Sequence, residues 1–224
     1  MPDYFSHFIC AEKIFEKLDA ANKRKITSPT LYLLGAQGGD VFFAYNFICS
    51  ENNLGRRLHR IPAAEVFAAL KDGNPSYAAG FATHYALDCT LHPAVYAYEN
   101  SRKSPLAHQS MESDLGLFIS KLYGVRRRIL PRELILPCTG EVYDSIKLIA
   151  PSVTVTGVER CLKRHFNYTK YLYKTKRQNY KCDFDFPSLS GAVGDAVALG
   201  TKTVAEVLSG NPDPVLFEKS FLER

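Results

Sequence analysis

Residues 80–93 read GFATHYALDCTLHP, an apolar run that carries His84, Asp88 and His92 at four-residue intervals. The run predicts a long buried helix over residues 76–92, ended by Pro93 because proline does not continue a helix. Each four-residue step turns a helix by 400°, so the three side chains span about 80° and line one stripe, roughly 6 Å apart. Imidazole nitrogens and a carboxylate stacked in this way suit the binding of more than one transition-metal ion.

Apolar residues recur at helical spacing over most of the chain. They predict a helix over residues 6–22 with Ser6 as its cap, and further helices over about 61–71, 105–123, 136–149, 155–174 and 192–208. A glycine-rich turn at residues 35–40 should feed another helix. The alternation typical of strands is nearly absent. We therefore expect an all-α fold, with residues 1–224 forming a single multi-helix domain, since this length suits one large core.

Composition places the chain among ordinary globular proteins. Hydrophobic residues make up 46% and charged residues 23% of the 224 residues, which argues against disorder. No run approaches eighteen apolar residues, and the start of the chain lacks the pattern of a signal peptide, so we expect a cytoplasmic protein. The six cysteines form no CxxC pair and are expected to be free thiols.

Positive charge is concentrated in two parts of the chain. Residues 126–128 are three arginines, and residues 163–181 interleave lysine and arginine with tyrosine, within a net charge of +5. Such a surface favours a phosphate-bearing partner, either a lipid headgroup at a membrane surface or a nucleic acid. The alternative is a solvated helix whose tyrosines pack inward.

A second pair of metal-ligating residue types, His108 and Glu112, shares a helix face at a spacing of four. A single pair of this kind is more often a surface hydrogen bond than a metal site. However, three of the six histidines fall within residues 84–108, each four residues from another ligand type. His7 and His59 lie in or beside other predicted helices, and Asp40 ends the glycine-rich turn. Together these placements predict a metal site.

The order and spacing of these residues resemble those of the bacterial zinc-dependent phospholipases C. The matching series is His7, the 35–40 turn ending in Asp40, His59, His84-x3-Asp88-x3-His92, and His108-x3-Glu112. The resemblance is dense in the first half of the chain and extends over the second half only as helical character. It implies an all-helical domain, shared with the amino-terminal part of glycosylphosphatidylinositol-specific phospholipase D, that carries three zinc ions in a cleft.

The resemblance also implies a ligand set for each zinc ion. The ligands of the first ion would be Asp40, His59, His84 and Asp88. Those of the second would be His92, His108 and Glu112. A third ion would use His7 and the other oxygen of Asp88, which makes Asp88 a bridging carboxylate.

The chain departs from the family at the third ion. In the secreted members the mature chain begins with a tryptophan whose amine and carbonyl complete that site, whereas this sequence contains no tryptophan. We expect Asp3, or a new terminus at Pro2 after loss of Met1, to take its place, since both lie close to His7. The expected cofactor is therefore two or three zinc ions.

The activity that the resemblance implies is that of a zinc-dependent phosphoric diester hydrolase. A hydroxide bridging two zinc ions would cleave a phospholipid into diacylglycerol and a phosphorylated headgroup, with Asp40 steering or deprotonating the water. The closest alternative is an S1/P1-like nuclease acting on single-stranded nucleic acid, because those enzymes share a similar three-zinc scaffold. A further alternative is a non-catalytic relative that keeps zinc for folding.

Overall fold

The computed structural model describes residues 3–46, 53–175, 177–219 and 221. Its α-helices are α1 (Tyr4–Lys17), α2 (Ala20–Lys25), α3 (Pro29–Gly35), α4 (Leu54–Leu58), α5 (Ala63–Leu70), α6 (Pro75–Ser101), α7 (Ala107–Leu122), α8 (Arg132–Ile135), α9 (Thr139–Ile149), α10 (Val155–Lys174) and α11 (Ser190–Ser209). Short 3₁₀ helices cover Gly38–Ala44, Leu136–Cys138, Phe186–Leu189 and Pro214–Phe217. These described residues contain no β-strand, which confirms the all-α fold class.

The first predicted helix is two helices in the structure. The cap of α1 is Asp3, not Ser6, because the Asp3 carboxylate accepts a hydrogen bond from the Ser6 backbone N–H at 3.0 Å. Helix α1 ends at Lys17, and α2 begins after Asp19, whose carboxylate accepts a hydrogen bond from the Asn22 N–H. The prediction of one helix over residues 6–22 was wrong because apolar spacing does not reveal a second cap inside a periodic segment.

Helix α6 continues past Pro93 to Ser101, so the prediction that Pro93 ends it was wrong. Proline at this position forfeits one backbone hydrogen bond, to the carbonyl four residues earlier. The helix persists because its last turns pack against α7, where Tyr96 and Glu99 contact His108, and because Leu91 and Val95 are buried on either side of the proline. Tertiary packing outweighs the local penalty, and the extension brings two further turns of α6 alongside α7.

Helix α6 lies at the centre of the fold and packs against α1, α3, α7 and α11. Its approach to α3 is close enough that a Cβ atom on Gly80 would lie 1.9 Å from the Tyr32 carbonyl oxygen. The chain leaves α3 through Gly38, which has φ +47° and would place a Cβ atom 2.1 Å from the His84 ring. Glycine is required there for both reasons, and the tight turn delivers Asp40 to the polar face of α6.

Other sequence expectations have partial outcomes. Among the described residues, five cysteines form no disulfide bond, namely Cys10, Cys89, Cys138, Cys161 and Cys182, whereas Cys49 lies outside them. No helix in the described parts of the chain is both long and apolar enough to cross a lipid bilayer. That residues 1–224 form one domain stays a prediction.

Candidate metal centre

The structure brings all eight predicted ligand residues together. His7 lies on α1, Asp40 in the 3₁₀ helix Gly38–Ala44, and His59 at the end of α4. The other five lie on α6 and α7, as His84, Asp88, His92, His108 and Glu112. They form three groups with atoms close enough to hold a metal ion: His7, Asp40 and His84; His59, His84 and Asp88; and His92, His108 and Glu112.

We name the first five residues the inner cluster, comprising His7, Asp40, His59, His84 and Asp88. His59 Nε2 and three ligand atoms around it form what we name the four-atom site. His59 Nε2 lies 3.2 Å from both Asp40 Oδ1 and His84 Nε2, and 3.6 Å from Asp88 Oδ2. His84 Nε2 lies 3.1 Å from Asp88 Oδ2. Ligand atoms about 2.0 Å from one tetrahedral zinc ion would be roughly 3.3 Å apart, so the separations among His59 Nε2, His84 Nε2 and Asp88 Oδ2 fit a single ion.

Unsatisfied carboxylate oxygens also indicate that these residues could hold a metal ion. Asp40 Oδ1, Asp88 Oδ2 and Glu112 Oε2 are buried and have no hydrogen-bond partner among the described residues. A buried carboxylate oxygen without a partner is costly, and a bound cation would remove that cost. Two of these three oxygens belong to the four-atom site, and the third belongs to the group around His92.

The two carboxylate oxygens of Asp88 face different sets of imidazoles. Oδ2 faces His84 and His59, whereas Oδ1 lies 3.4 Å from His7 Nε2 and 3.3 Å from His92 Nδ1. His7 Nε2 also lies 3.8 Å from Asp40 Oδ2. Asp88 therefore stands between the four-atom site and its neighbours, which is the placement that a bridging carboxylate requires.

We name His92, His108 and Glu112 the outer group. His108 Nε2 lies 3.0 Å and His92 Nε2 3.5 Å from the same oxygen, Oε1 of Glu112. The other ring nitrogen of His108 contacts Glu99 Oε2 at 2.9 Å, and 26% of the His108 side chain is exposed to solvent. A carboxylate behind a ligating imidazole fixes its tautomer and orientation. Sequence reasoning missed Glu99 because it lies beyond Pro93, where α6 was expected to have ended.

Electrostatic interactions link the outer group to Asp88. Burial alone would raise the pKa of Asp88, but His84 and His92 outweigh it and hold that pKa well below its ordinary value. Burial would lower the pKa of His92, but Asp88 and Glu112 raise it well above its ordinary value. Burial also opposes the ionisation of Glu112, yet hydrogen bonds from His108 and His92 lower its pKa to about 2. These carboxylates are therefore ionised at neutral pH.

The histidines of the inner cluster differ from one another. Burial, assisted by the neighbouring His84, lowers the pKa of His7 to about 4, so His7 is neutral at pH 7. Burial would lower the pKa of His59, but the Asp40 carboxylate raises it, and the net pKa is above the ordinary value. The His59 ring is oriented by a contact of 2.7 Å between Nδ1 and the Gly55 carbonyl oxygen, which leaves Nε2 for the four-atom site.

Asp3 lies on the wall of a small cavity beside both sets of ligands. The cavity has a volume of about 20 Å³, room for roughly one water-sized species, and its walls include His7, Asp88, His92 and Glu112. Burial raises the pKa of Asp3 to about 7, and its Oδ2 already accepts hydrogen bonds from Ser6. The role of Asp3 in a third site stays a prediction, and Pro2 lies outside the described residues.

A larger cavity of about 260 Å³ also has Asp3 in its wall and opens to solvent. Two of its lining residues, Leu106 and Tyr171, are more than half exposed despite their apolar surface. It also contains Arg177, which pairs with Asp114, and Lys181. None of the eight ligand residues lines this cavity or a surface cavity of about 720 Å³. Asp3, however, lines both the 260 Å³ cavity and the 20 Å³ cavity beside the ligands, so we regard the 260 Å³ cavity as the candidate approach to the metal centre.

The donor atoms narrow the class of metal. Imidazole nitrogens with carboxylate oxygens suit zinc and other first-row transition metals, whereas calcium and magnesium prefer oxygen alone. The buried groups could thus hold such an ion, and their composition by itself does not single out zinc. The geometry therefore agrees with the expectation of a metal-binding protein, without specifying the metal.

Comparisons with known proteins add no relative. No family model matches the chain, and neither a curated protein nor a solved structure does so. The resemblance to the zinc-dependent phospholipases C therefore rests on the ordered ligand residues themselves.

Proposed function

We propose that this protein is a zinc-dependent phosphodiester hydrolase of the phospholipase C type, which cleaves a phospholipid into diacylglycerol and a phosphorylated headgroup. The observation that carries the proposal is the position of Asp88, whose two oxygens face the inner cluster and the outer group separately. Shared carboxylates are typical of sites that hold neighbouring ions, and such sites serve in-line displacement at phosphorus.

The metal, when bound, would polarise the phosphoryl oxygens and lower the pKa of a water molecule toward neutrality. The chain contributes the remaining steps. Asp40 is the candidate to orient that water and accept its proton, because Oδ1 faces His59 while Oδ2 faces His7. Burial of the inner cluster excludes bulk water, which strengthens each electrostatic interaction there. The contact with Glu99 orients His108 at the solvent-exposed edge.

The choice of a phospholipid rests on the rim of the 260 Å³ cavity. Leu106 is 61% and Tyr171 66% exposed, and the two side chains line the same cavity. Exposed aliphatic and aromatic residues beside a polar cleft suit contact with a membrane surface, where tyrosine is favoured at the headgroup level. Lys181 in the same cavity would attract an anionic headgroup or phosphate.

A nuclease acting on single-stranded nucleic acid is the second candidate. The observation that favours it is the combination of Tyr168 and Tyr171 with Lys181 in one cavity, since bases stack on aromatic rings while cations follow the phosphates. It ranks second because Arg177, the other cation of that cavity, is already engaged by the buried Asp114. A non-catalytic zinc protein is the third candidate, and an assay must distinguish it from the two enzymes.

The test is an assay of protein that has been stripped of metal and reloaded with zinc. It is incubated with phosphatidylcholine in mixed micelles and, separately, with single-stranded DNA. We expect a phosphorylated headgroup and diacylglycerol from the micelles, and no such product from an Asp40→Asn variant. The matched control is Asp72→Asn, since Asp72 is exposed and distant in sequence from every ligand residue.

Each result decides between the candidates. Cleavage of DNA without cleavage of lipid would replace the proposal by the nuclease. A full complement of zinc with no cleavage of either substrate would support the non-catalytic protein. Undiminished activity in the Asp40→Asn variant would refute the role given to Asp40.

A further inference from the structure

His165 is the sixth histidine of the chain and belongs to none of the three metal groups. It is buried, with 6% of its surface exposed, and neither of its ring nitrogens has a hydrogen-bond partner among the described residues. An unsatisfied buried polar group costs about 1–3 kcal/mol, so a histidine with two such nitrogens calls for a ligand that would satisfy them.

The position of His165 identifies where that ligand would lie. It is on α10, which packs against the 3₁₀ helix Gly38–Ala44 that carries Asp40. Its ring faces Tyr4 at the start of α1, with 5.7 Å between the ring centroids, and the negative charge of Asp40 reaches it. His165 therefore lies on the side of α10 that contacts Tyr4, and α10 packs against the segment that carries Asp40.

The next turn of α10 provides a second observation. Tyr168 lies one turn after His165, and its hydroxyl accepts a hydrogen bond from Gln109 of α7 at 3.1 Å. Burial raises the pKa of that hydroxyl, and three carboxylates add to the effect, those of Asp3, Glu112 and Asp40. This face of α10 thus lies against α7 and beside the 260 Å³ cavity, which Tyr168 and Asp3 both line.

The protonation state suits a hydrogen-bond donor to an oxygen. Burial lowers the pKa of His165 to about 4, so the imidazole is neutral at pH 7. A neutral imidazole carries one N–H donor and one acceptor. As a purely structural residue, it would gain nothing over a leucine of similar volume, since none of its polar atoms has a partner in the described protein.

We propose that His165 is a substrate-contacting residue, which donates an N–H hydrogen bond to an oxygen of a phosphate group bound at the metal centre. The proposal rests on the proposed function, in that it takes the ligand to be a phosphate ester. It assigns α10 a direct part in substrate binding, opposite the ligands on α6. The shared chemistry is the phosphate oxygen, whether it comes from a phospholipid headgroup or from free inorganic phosphate.

The experiment compares His165→Leu with the wild-type protein, both loaded with zinc. Three quantities are measured: metal content, the midpoint of thermal unfolding, and the Kd for inorganic phosphate by calorimetry. We expect unchanged metal content, a midpoint about 2–4 °C higher because the unsatisfied nitrogens are gone, and phosphate binding roughly tenfold weaker. Stability and affinity should therefore move in opposite directions.

Two further variants control the comparison. Thr169→Val changes another buried polar residue of α10, whose hydroxyl donates to the Phe166 carbonyl at 2.9 Å, and should leave the phosphate Kd unchanged. His165→Asn keeps an N–H donor and should recover part of the affinity that His165→Leu loses. Repeating the binding measurement with phosphocholine distinguishes a headgroup from free phosphate as the preferred source.

The outcomes separate this proposal from the proposed function. If His165→Leu binds phosphate as tightly as the wild type, or loses stability with unchanged affinity, His165 is structural and the inference is overturned. If the wild type binds phosphate through His165 but hydrolyses no phosphodiester, the inference holds and the proposed function fails. If the wild type binds no phosphate with zinc in place, the inference is overturned, and the micelle assay alone decides the proposed function.

Discussion

The inner cluster and the outer group use the same ligand types but differ in their contact with solvent. All five residues of the inner cluster are buried, whereas His108 in the outer group exposes 26% of its side chain. Burial raises the cost of leaving a ligand unpaired and slows the exchange of a bound ion with solution. The inner cluster is therefore the buried candidate site and the outer group the solvent-accessible one, and Asp88 contacts both.

Asp88→Asn should have the largest effect, because it removes the one carboxylate that both regions share. We expect metal content to fall in both regions and hydrolysis to drop below detection, a larger loss than the 10–100-fold typical of residues behind the ligands. Metal analysis of the purified variant measures it.

The matched control for Asp88→Asn is Thr90→Ala on the same helix. Its hydroxyl donates to the Ala86 carbonyl at 2.7 Å and otherwise contacts Cys89 Sγ at 3.9 Å, neither of which is a metal ligand, so its loss should leave the metal content unchanged. If Asp88→Asn kept its full metal content, the two regions would not depend on a shared ligand.

His108→Ala should affect the outer group alone. We expect one ion fewer and intact binding in the inner cluster, because His108 makes its close contacts with Glu112 and Glu99. In the wild-type protein a chelator should likewise release the outer ion first. A time course of zinc release checks this, with Ser110→Ala on the same helix as the control. Loss of all ions at one rate would show that burial does not divide the centre.

The stability of the metal-free protein should pass through a maximum near pH 6.5. The pKa values of His7 and His165 are lowered to about 4, so between pH 6.5 and 4 the unfolded chain binds two protons that the folded chain does not, against the one that Asp3, with a pKa of about 7, binds only in the folded chain. Stability therefore falls as pH drops through that range. The pKa values of His59, His92 and His108 are raised, and their contribution is lost as pH rises above 6.5.

Urea unfolding of the metal-free protein at pH 5, 6.5 and 8.5 measures both slopes. His7→Gln should flatten the acid side, and His108→Gln should flatten the alkaline side. The two variants thus test whether His7 and His108 affect stability in opposite directions of pH. A stability that rises steadily from pH 5 to 8.5 would contradict this assignment.

Asp3→Ser should have the smallest effect and decides what Asp3 contributes. Serine caps a helix about as well as aspartate but supplies no carboxylate, whereas Asp3→Ala removes the cap and costs about 1 kcal/mol. We expect Asp3→Ser to keep the stability of the wild type and to lose the third ion only. Three tightly held ions in both variants, measured with Met1 intact, would leave Asp3 as a cap.

Much of the fold followed from local patterns, and the exceptions have identifiable causes. The predicted helix over residues 155–174 coincides with α10, since its cap Thr154 and its apolar face are both local signals. The predicted end of α6 at Pro93 was wrong because the energetic penalty of a proline is local, whereas the packing against α7 that compensates for it is not. That single error also concealed Glu99.

The candidate metal centre likewise has features that local sequence predicted and features that depend on helix packing. The four-residue spacing of His84, Asp88 and His92 was sufficient to place them on one stripe, and the order of the other ligand types indicated a metal centre. That the stripe meets Asp40 and His59 depends on the close approach of α3 to α6, which glycine permits at Gly35 and Gly80. No periodicity in the sequence encodes such an approach.

The sequence by itself determined the helices, the stripe on α6 and the ligand types, because these follow from backbone geometry over a few residues. Only the tertiary structure decided which oxygen of Asp88 faces which imidazole, that His108 stands at the solvent edge, and that His165 is buried without a partner. Those properties depend on how distant helices pack, and burial sets both the pKa values and the cost of an unpaired group.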